Sequence, residues 1–114
     1  MIKNASKKTI IAGSFLECKT WWEQTRGMMF RTITPLLFSF PKARHIDLHS
    51  FFVREPIDLI FLDDSWTVVE VYSKWPPSST YSSNYPAQFL LELPAGSIAQ
   101  SNTEVGDVLH IVRK

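Results

Sequence analysis

At 114 residues and 13.1 kDa, the chain has room for one domain, residues 1–114, and no second. Hydrophobic residues make up 45%, aromatics 13% and charged residues 20%, and four glycines with seven prolines exclude a collagen-like or low-complexity chain. Twelve Lys and Arg against eleven Asp and Glu leave a net charge of +1, which sets up no overall field for nucleic acid or a membrane surface.

The N-terminus places Lys3, Lys7 and Lys8 before an apolar run from Ile10 to Leu16. That run ends at Glu17 with no small-residue cleavage site, so it does not read as a secretory signal, and no stretch approaches the roughly 20 apolar residues of a membrane span. Thr9 to Leu16 is rich in β-branched residues and is expected to be a strand. Cys18 is the only cysteine, which excludes an internal disulfide and suits a reducing cytoplasm. Thr20-Trp21-Trp22-Glu23 has the form of a capping box and predicts a short helix to about Arg26, ended by Gly27.

From Leu36 the run Leu36-Leu37-Phe38-Ser39-Phe40 predicts a strand closed by Pro41, with a basic loop at Lys42-Ala43-Arg44. Ile46 to Val53 half alternates, as a strand with one wet face does. Ile57 to Leu62 is apolar except at Asp58, so both its faces should be covered. Asp63-Asp64-Ser65 is turn chemistry, and Thr67 to Tyr72 is expected to return as the second arm of a hairpin. Residues 75–86 hold three prolines and four serines, which excludes helix, and their aromatics Trp75, Tyr81 and Tyr85 predict a loop lying on the body of the fold. Gln88 to Leu93 is another strand, Ala95 to Gln100 allows one helical turn, and Val108 to Val112 closes the chain as a strand. The sum is an α+β, β-rich domain of five to seven strands in a small curled or barrel-like sheet, with one or two short helices.

Charge is unevenly spread. Residues 1–57 carry nine basic and four acidic side chains, and residues 58–114 carry three and seven. In one domain this predicts that the first half packs against the second. No Walker loop, dinucleotide fingerprint, paired CxxC or HExxH is present. His45 and His49 lie in a segment read as strand, where they would stand roughly 13 Å apart, so no metal site and no cofactor is expected.

The informative feature is charge set in apolar strands. Asp58 has Ile60 and Leu62 as same-face neighbours, and an unpartnered carboxylate there would cost several kcal/mol. Arg54, Arg31 and Arg26 are candidate partners, and Glu92, inside Phe89-Leu90-Leu91-Glu92-Leu93, poses the same problem. These residues predict one polar cluster beside a pocket lined by Met and aromatic side chains, Met29 and Phe52 among them. Such a cluster can serve the fold alone, locking strand ends together. It can also bind a small molecule or peptide, with Arg31 and Arg54 as donors to an anion and Asp58 and Glu92 orienting them. A hydrolase using Asp58 and Glu92 as acid and base needs both carboxyls in one cleft, about 10 Å apart or less. A contact surface for RNA or protein would draw on the basic first half.

Four blocks in order resemble a family called domain of unknown function 192. They are Gly27-Met28-Met29-Phe30-Arg31, His49 to Asp63 with its Pro56-Ile57-Asp58 step, Ala87 to Gly96 with Leu91-Glu92-Leu93-Pro94-Ala95-Gly96, and Gly106-Asp107. The resemblance covers about residues 15–112 and implies a compact β-rich domain with a small helix, prokaryotic and with no assigned activity. It falls on Gly27, Arg31, Arg54, Pro56, Asp58, Glu92 and Gly96, so it implies a shared site without naming a ligand. Val53 stands where the family often has methionine. The reading is a small cytoplasmic binding or accessory module, a monomer or weak homodimer with no membrane contact, set ahead of a hydrolase and of a module contacting RNA or protein.

Overall fold

The computed structural model describes residues 1–18, 33–51 and 53–113. The predicted helix from Thr20 to Arg26, and with it Gly27, Met29 and Arg31, lies outside the described residues, as does Phe52.

The strands are β1 (Ile2–Asn4), β2 (Thr9–Ala12), β3 (Leu16–Cys18), β4 (Leu36–Arg44), β5 (Asp47–His49), β6 (Ile57–Leu62), β7 (Val68–Trp75), β8 (Thr80–Ser82), β9 (Ala87–Pro94) and β10 (Leu109–Ile111). One short helix, α1, spans Ser97–Ser101. The chain is β-rich α+β, as expected, and the described residues hold ten strands where five to seven were predicted. Several of them are three-residue pairings too short to leave a periodic pattern. They form a five-stranded sheet β3-β4-β9-β6-β7, a three-stranded sheet β10-β1-β2 and a pair β5-β8. None of the three closes into a barrel.

The hairpin β6–β7 forms as its sequence predicts. Asp63 Oδ1 accepts from the amides of Ser65 and Thr67, each at 2.9 Å, which shapes the turn. Every residue of β6 is buried, so both faces of this central strand are covered. Strand β4 differs from expectation, since it runs through Pro41 to Arg44 instead of stopping. Its register against β9 slips between Ser39 and Arg44, and residues 41–44 are exposed, so the proline falls where the ladder is already broken.

The two faces of the large sheet bury separate cores. Leu36, Phe38, Leu59, Phe61, Leu90 and Trp75 pack on one face, beneath the β5–β8 pair and Tyr81. Leu37, Ile60, Leu62, Leu91, Leu93 and Ile98 pack on the other, beneath α1 and the three-stranded sheet. The charge asymmetry resolves as mutual packing: β1 pairs with β10 and β4 with β9, while Lys7 meets Asp107 at 2.8 Å and Arg113 meets Glu17 at 2.9 Å. Among the described residues no helix is long and apolar enough to cross a membrane.

Segment 75–86 does lie on the fold. Ser50 Oγ donates to Pro76 O at 2.6 Å and accepts from the Ser79 amide at 2.8 Å, and Ser83 Oγ accepts from the Ile46 amide at 2.8 Å. Trp75 is buried and Tyr81 half-buried, whereas Tyr85 is exposed.

Candidate functional site

Asp58 is fully buried, and its partners are backbone amides. Oδ1 accepts from Lys74 N at 2.9 Å and Oδ2 accepts from Ile98 N at 2.8 Å. Both amides are free for a structural reason. β7 carries an extra residue opposite β6 between the pairs Ile57–Trp75 and Leu59–Tyr72, with Lys74 at φ 58°, so the Lys74 amide leaves the ladder. Ile98 lies in the first turn of α1, where amides have no partner within the helix. The residue before the helix, Gly96, takes φ 96°, a conformation that L side chains avoid, and supplies no side-chain cap. Asp58 supplies the cap from the neighbouring sheet and joins β6, the β7 bulge and α1 at one point.

Glu92 is buried on the opposite face. In the sheet Glu92 pairs with Leu59 and Leu36, whereas Asp58 pairs with Leu93, and successive residues of a strand point to opposite faces. Asp58 and Glu92 therefore lie on different sides of the five-stranded sheet and share no cleft. Arg54 is exposed and forms no ion pair among the described residues. Of the residues predicted to cluster, Asp58 serves backbone amides, Glu92 lies on the other face of the sheet and Arg54 is exposed, while Arg26 and Arg31 lie outside the described residues.

A third buried carboxylate escaped the sequence reading. Glu70, on β7, lies on the same face as Glu92 and accepts from the amides of Asn84 at 2.8 Å and Tyr85 at 3.2 Å, and from the Tyr81 hydroxyl. Burial, then the hydrogen bond to Glu70, pushes the Tyr81 phenol up to about 12. No signal in the sequence flagged Glu70, because the register of β7 against β6 slips between Phe61 and Leu62 and its partners come from the loop.

Asp107, named in the sequence only within the Gly106-Asp107 block, is a further buried carboxylate. It accepts from Asn4 Nδ2 at 2.9 Å, Lys7 Nζ at 2.8 Å and the Glu104 amide at 3.0 Å. Burial alone would raise its pKa, but the hydrogen bonds from Asn4 and Lys7 outweigh it and hold the carboxyl below its ordinary value. The contact with Asp107 in turn raises the Lys7 ammonium.

One cleft adjoins the segment the sequence singled out. A cavity of about 450 Å³ is lined by Ile33, Glu55, Pro56, Pro94 and Ala95, at the sheet end where β6 begins and β9 finishes. Arg54 directly precedes its lining. Asp58, two residues past Pro56, reaches the amide of Ile98, four residues past Pro94, so one carboxylate ties together the segments that form both walls. The indole N–H of Trp75, a buried residue paired with Ile57 at the same end of the sheet, has no hydrogen-bond partner among the described residues. Cys18 is buried in the core that packs on the Trp75 face of the sheet, where it fills space as a small side chain.

Comparison with known proteins gives a family and a fold. The model of DUF192, described as an uncharacterised ACR, matches residues 4–111. A UPF0127 protein of Thermococcus sibiricus is 32% identical over 114 residues, covering 94% of this chain and 71% of its own. A UPF0127 protein of Pyrococcus horikoshii is 32% identical over 110 residues, covering 94% and 95%. Among solved structures, a protein of unknown function from Novosphingobium aromaticivorans superposes with a TM-score of 0.77 at 21% identity, over 85% of this chain and 74% of that one. A candidate transcription regulator of Sinorhizobium meliloti superposes with a TM-score of 0.81 at 22% identity, over 96% and 88%. At those identities the two structures speak for the fold alone.

Proposed function

The chain belongs to the DUF192 family, and we propose that this member is a small cytoplasmic ligand-binding module whose ligand sits in the cleft beside the Arg54–Asp58 segment. The observation that carries this reading is the cleft itself. Two of the blocks that mark the family meet there, Pro56 from one and Pro94-Ala95 from the other, around about 450 Å³ of space. That volume is within the range of small-molecule sites.

Arg54 precedes the lining residue Glu55 in the chain, is exposed and has no ion pair among the described residues, so its guanidinium is available to a ligand carboxylate or other anionic group. Its planar fork engages such a group with two parallel hydrogen bonds. Glu55 adds a carboxylate to the lining, and Ile33, Pro56 and Pro94 add apolar wall. The ligand class is therefore a small molecule or short peptide with an anionic group and an apolar portion. Asp58 is a positioning residue in this account, since its two oxygens are taken by the amides that hold the walls.

Acid–base catalysis by Asp58 and Glu92 loses its geometric basis, because the two carboxylates belong to opposite faces of the sheet. Incubation of the protein with a metabolite extract, followed by native mass spectrometry, tests the binding reading. A retained mass that disappears for Arg54→Ala supports it, and a bare spectrum over the full extract counts against it.

A further inference from the structure

The three-stranded sheet carries a concentration of positive charge that neither the fold nor the cleft requires. Lys3, on the central strand β1, pairs with His110 of β10 on one side and with Ile10 of β2 on the other. All three are exposed on the outer face. Directly opposed side chains on neighbouring strands stand about 5 Å apart at Cβ, so the Lys3 ammonium and the His110 imidazole offer adjacent donors. Lys8 joins them from the β1–β2 turn, at φ 59°, in the left-handed region that residues with a side chain disfavour.

Lys3, Lys8, Thr9, Ile10 and His110, with Asn4 and Ala5, line a cavity of about 330 Å³ that no acidic side chain borders among the described residues. Lys3 and Lys8 have no ion pair among the described residues. Lys7, their neighbour in the same turn, makes the contrast clear, since it is neutralised by Asp107 at 2.8 Å and Glu104 at 3.1 Å. The turn thus separates its lysines, binding one to the fold and holding the other in disfavoured backbone beside a basic cup.

The geometry points to a binding site for a small phosphate-bearing anion in the cup formed by Lys3, Lys8 and His110. A phosphate group supplies the negative charge and several acceptor oxygens that two ammonium groups and an imidazole N–H donor call for. Ile10 offers an apolar wall to the organic part of a phosphate ester. At about 330 Å³ the space suits a small molecule. The cup shares no lining residue with the cleft near Arg54, so it stands independently of that reading.

The test is an amide-resolved NMR titration with inorganic phosphate, against chloride at matched ionic strength. Saturable shifts at Lys3, Lys8 and His110 under phosphate alone are expected, and the Lys3→Gln/Lys8→Gln double variant should weaken binding about tenfold or more. Both side chains are exposed, so the variant should fold, as amide dispersion will report. Lys8→Gly supplies a second arm: it relaxes the backbone, so melting temperature should hold or rise while phosphate affinity falls. Shifts that chloride reproduces overturn the proposal. So does unchanged affinity in the double variant, or a Lys8→Gly protein that melts lower and binds phosphate as well as the wild type.

Discussion

Replacing Asp58 with alanine should be among the most damaging single changes in this protein, and its cost can be worked from two hydrogen bonds. The Ile98 amide is buried and would lose its only observed acceptor, at about 2–3 kcal/mol for a stranded donor whose partner was charged. The Lys74 amide is only partly buried, so water can replace the lost oxygen and its share falls to about 1 kcal/mol. Together they make about 3–4 kcal/mol, against the roughly 5–15 kcal/mol that holds a small domain folded. Urea denaturation reads this directly: with a slope near 1.5 kcal/mol/M the midpoint should fall by about 2 M at constant slope. Asp58→Asn keeps one acceptor but turns an NH2 group toward the other amide, so about half the loss should appear. A midpoint shift below about 0.5 M for Asp58→Ala, or an Asp58→Asn protein more stable than the wild type, would refute the argument. The carboxylate would then be kept at the expense of stability, as groups serving a ligand are.

Two pH effects and one loop effect follow from the other buried carboxylates. Tyr81 ionises near pH 10 in the unfolded chain and at about 12 in the folded one, so its contribution is full below pH 10 and is lost as pH rises to 12. Ultraviolet absorbance should show one phenol ionising near pH 12, and that step should vanish in Tyr81→Phe. The same variant should loosen the Asn84 and Tyr85 amides, seen as faster hydrogen exchange there, at about 1 kcal/mol. Asp107 is shifted the other way. Its stabilisation is present above its ordinary value of 3.8 and is lost as pH falls below it, so the acid limb of a stability–pH curve should be shallower for Asp107→Asn than for the wild type.

What the sequence disclosed of this fold follows the range of the interactions. The β6–β7 hairpin was legible because its strands and its Asp63 turn are contiguous. The burial of Asp58 was legible because period-two neighbours in β6 are apolar. Its partners were not, because one amide is released by a bulge and the other by a helix start forty residues away, and neither event has a side-chain signature. β1 was missed because three residues with a lysine in the middle carry no periodicity, and their pairing with β10 joins the two ends of the chain. Asp58 and Glu92 were grouped because both interrupt apolar runs, yet their registers against Leu93 and Leu59 send them to opposite faces. Strand pairing register is set by long-range packing, so charge in a strand discloses burial more readily than company.

Thermal melting of the wild type and Arg54→Ala, alone and with a panel of anionic metabolites and short acidic peptides, bears most directly on the binding account. The account predicts equal melting temperatures for the two unliganded proteins, since Arg54 is exposed, and a compound that raises the wild-type value while leaving Arg54→Ala unmoved. An unliganded Arg54→Ala protein that melts well below the wild type, or a compound that stabilises both proteins equally, would contradict it.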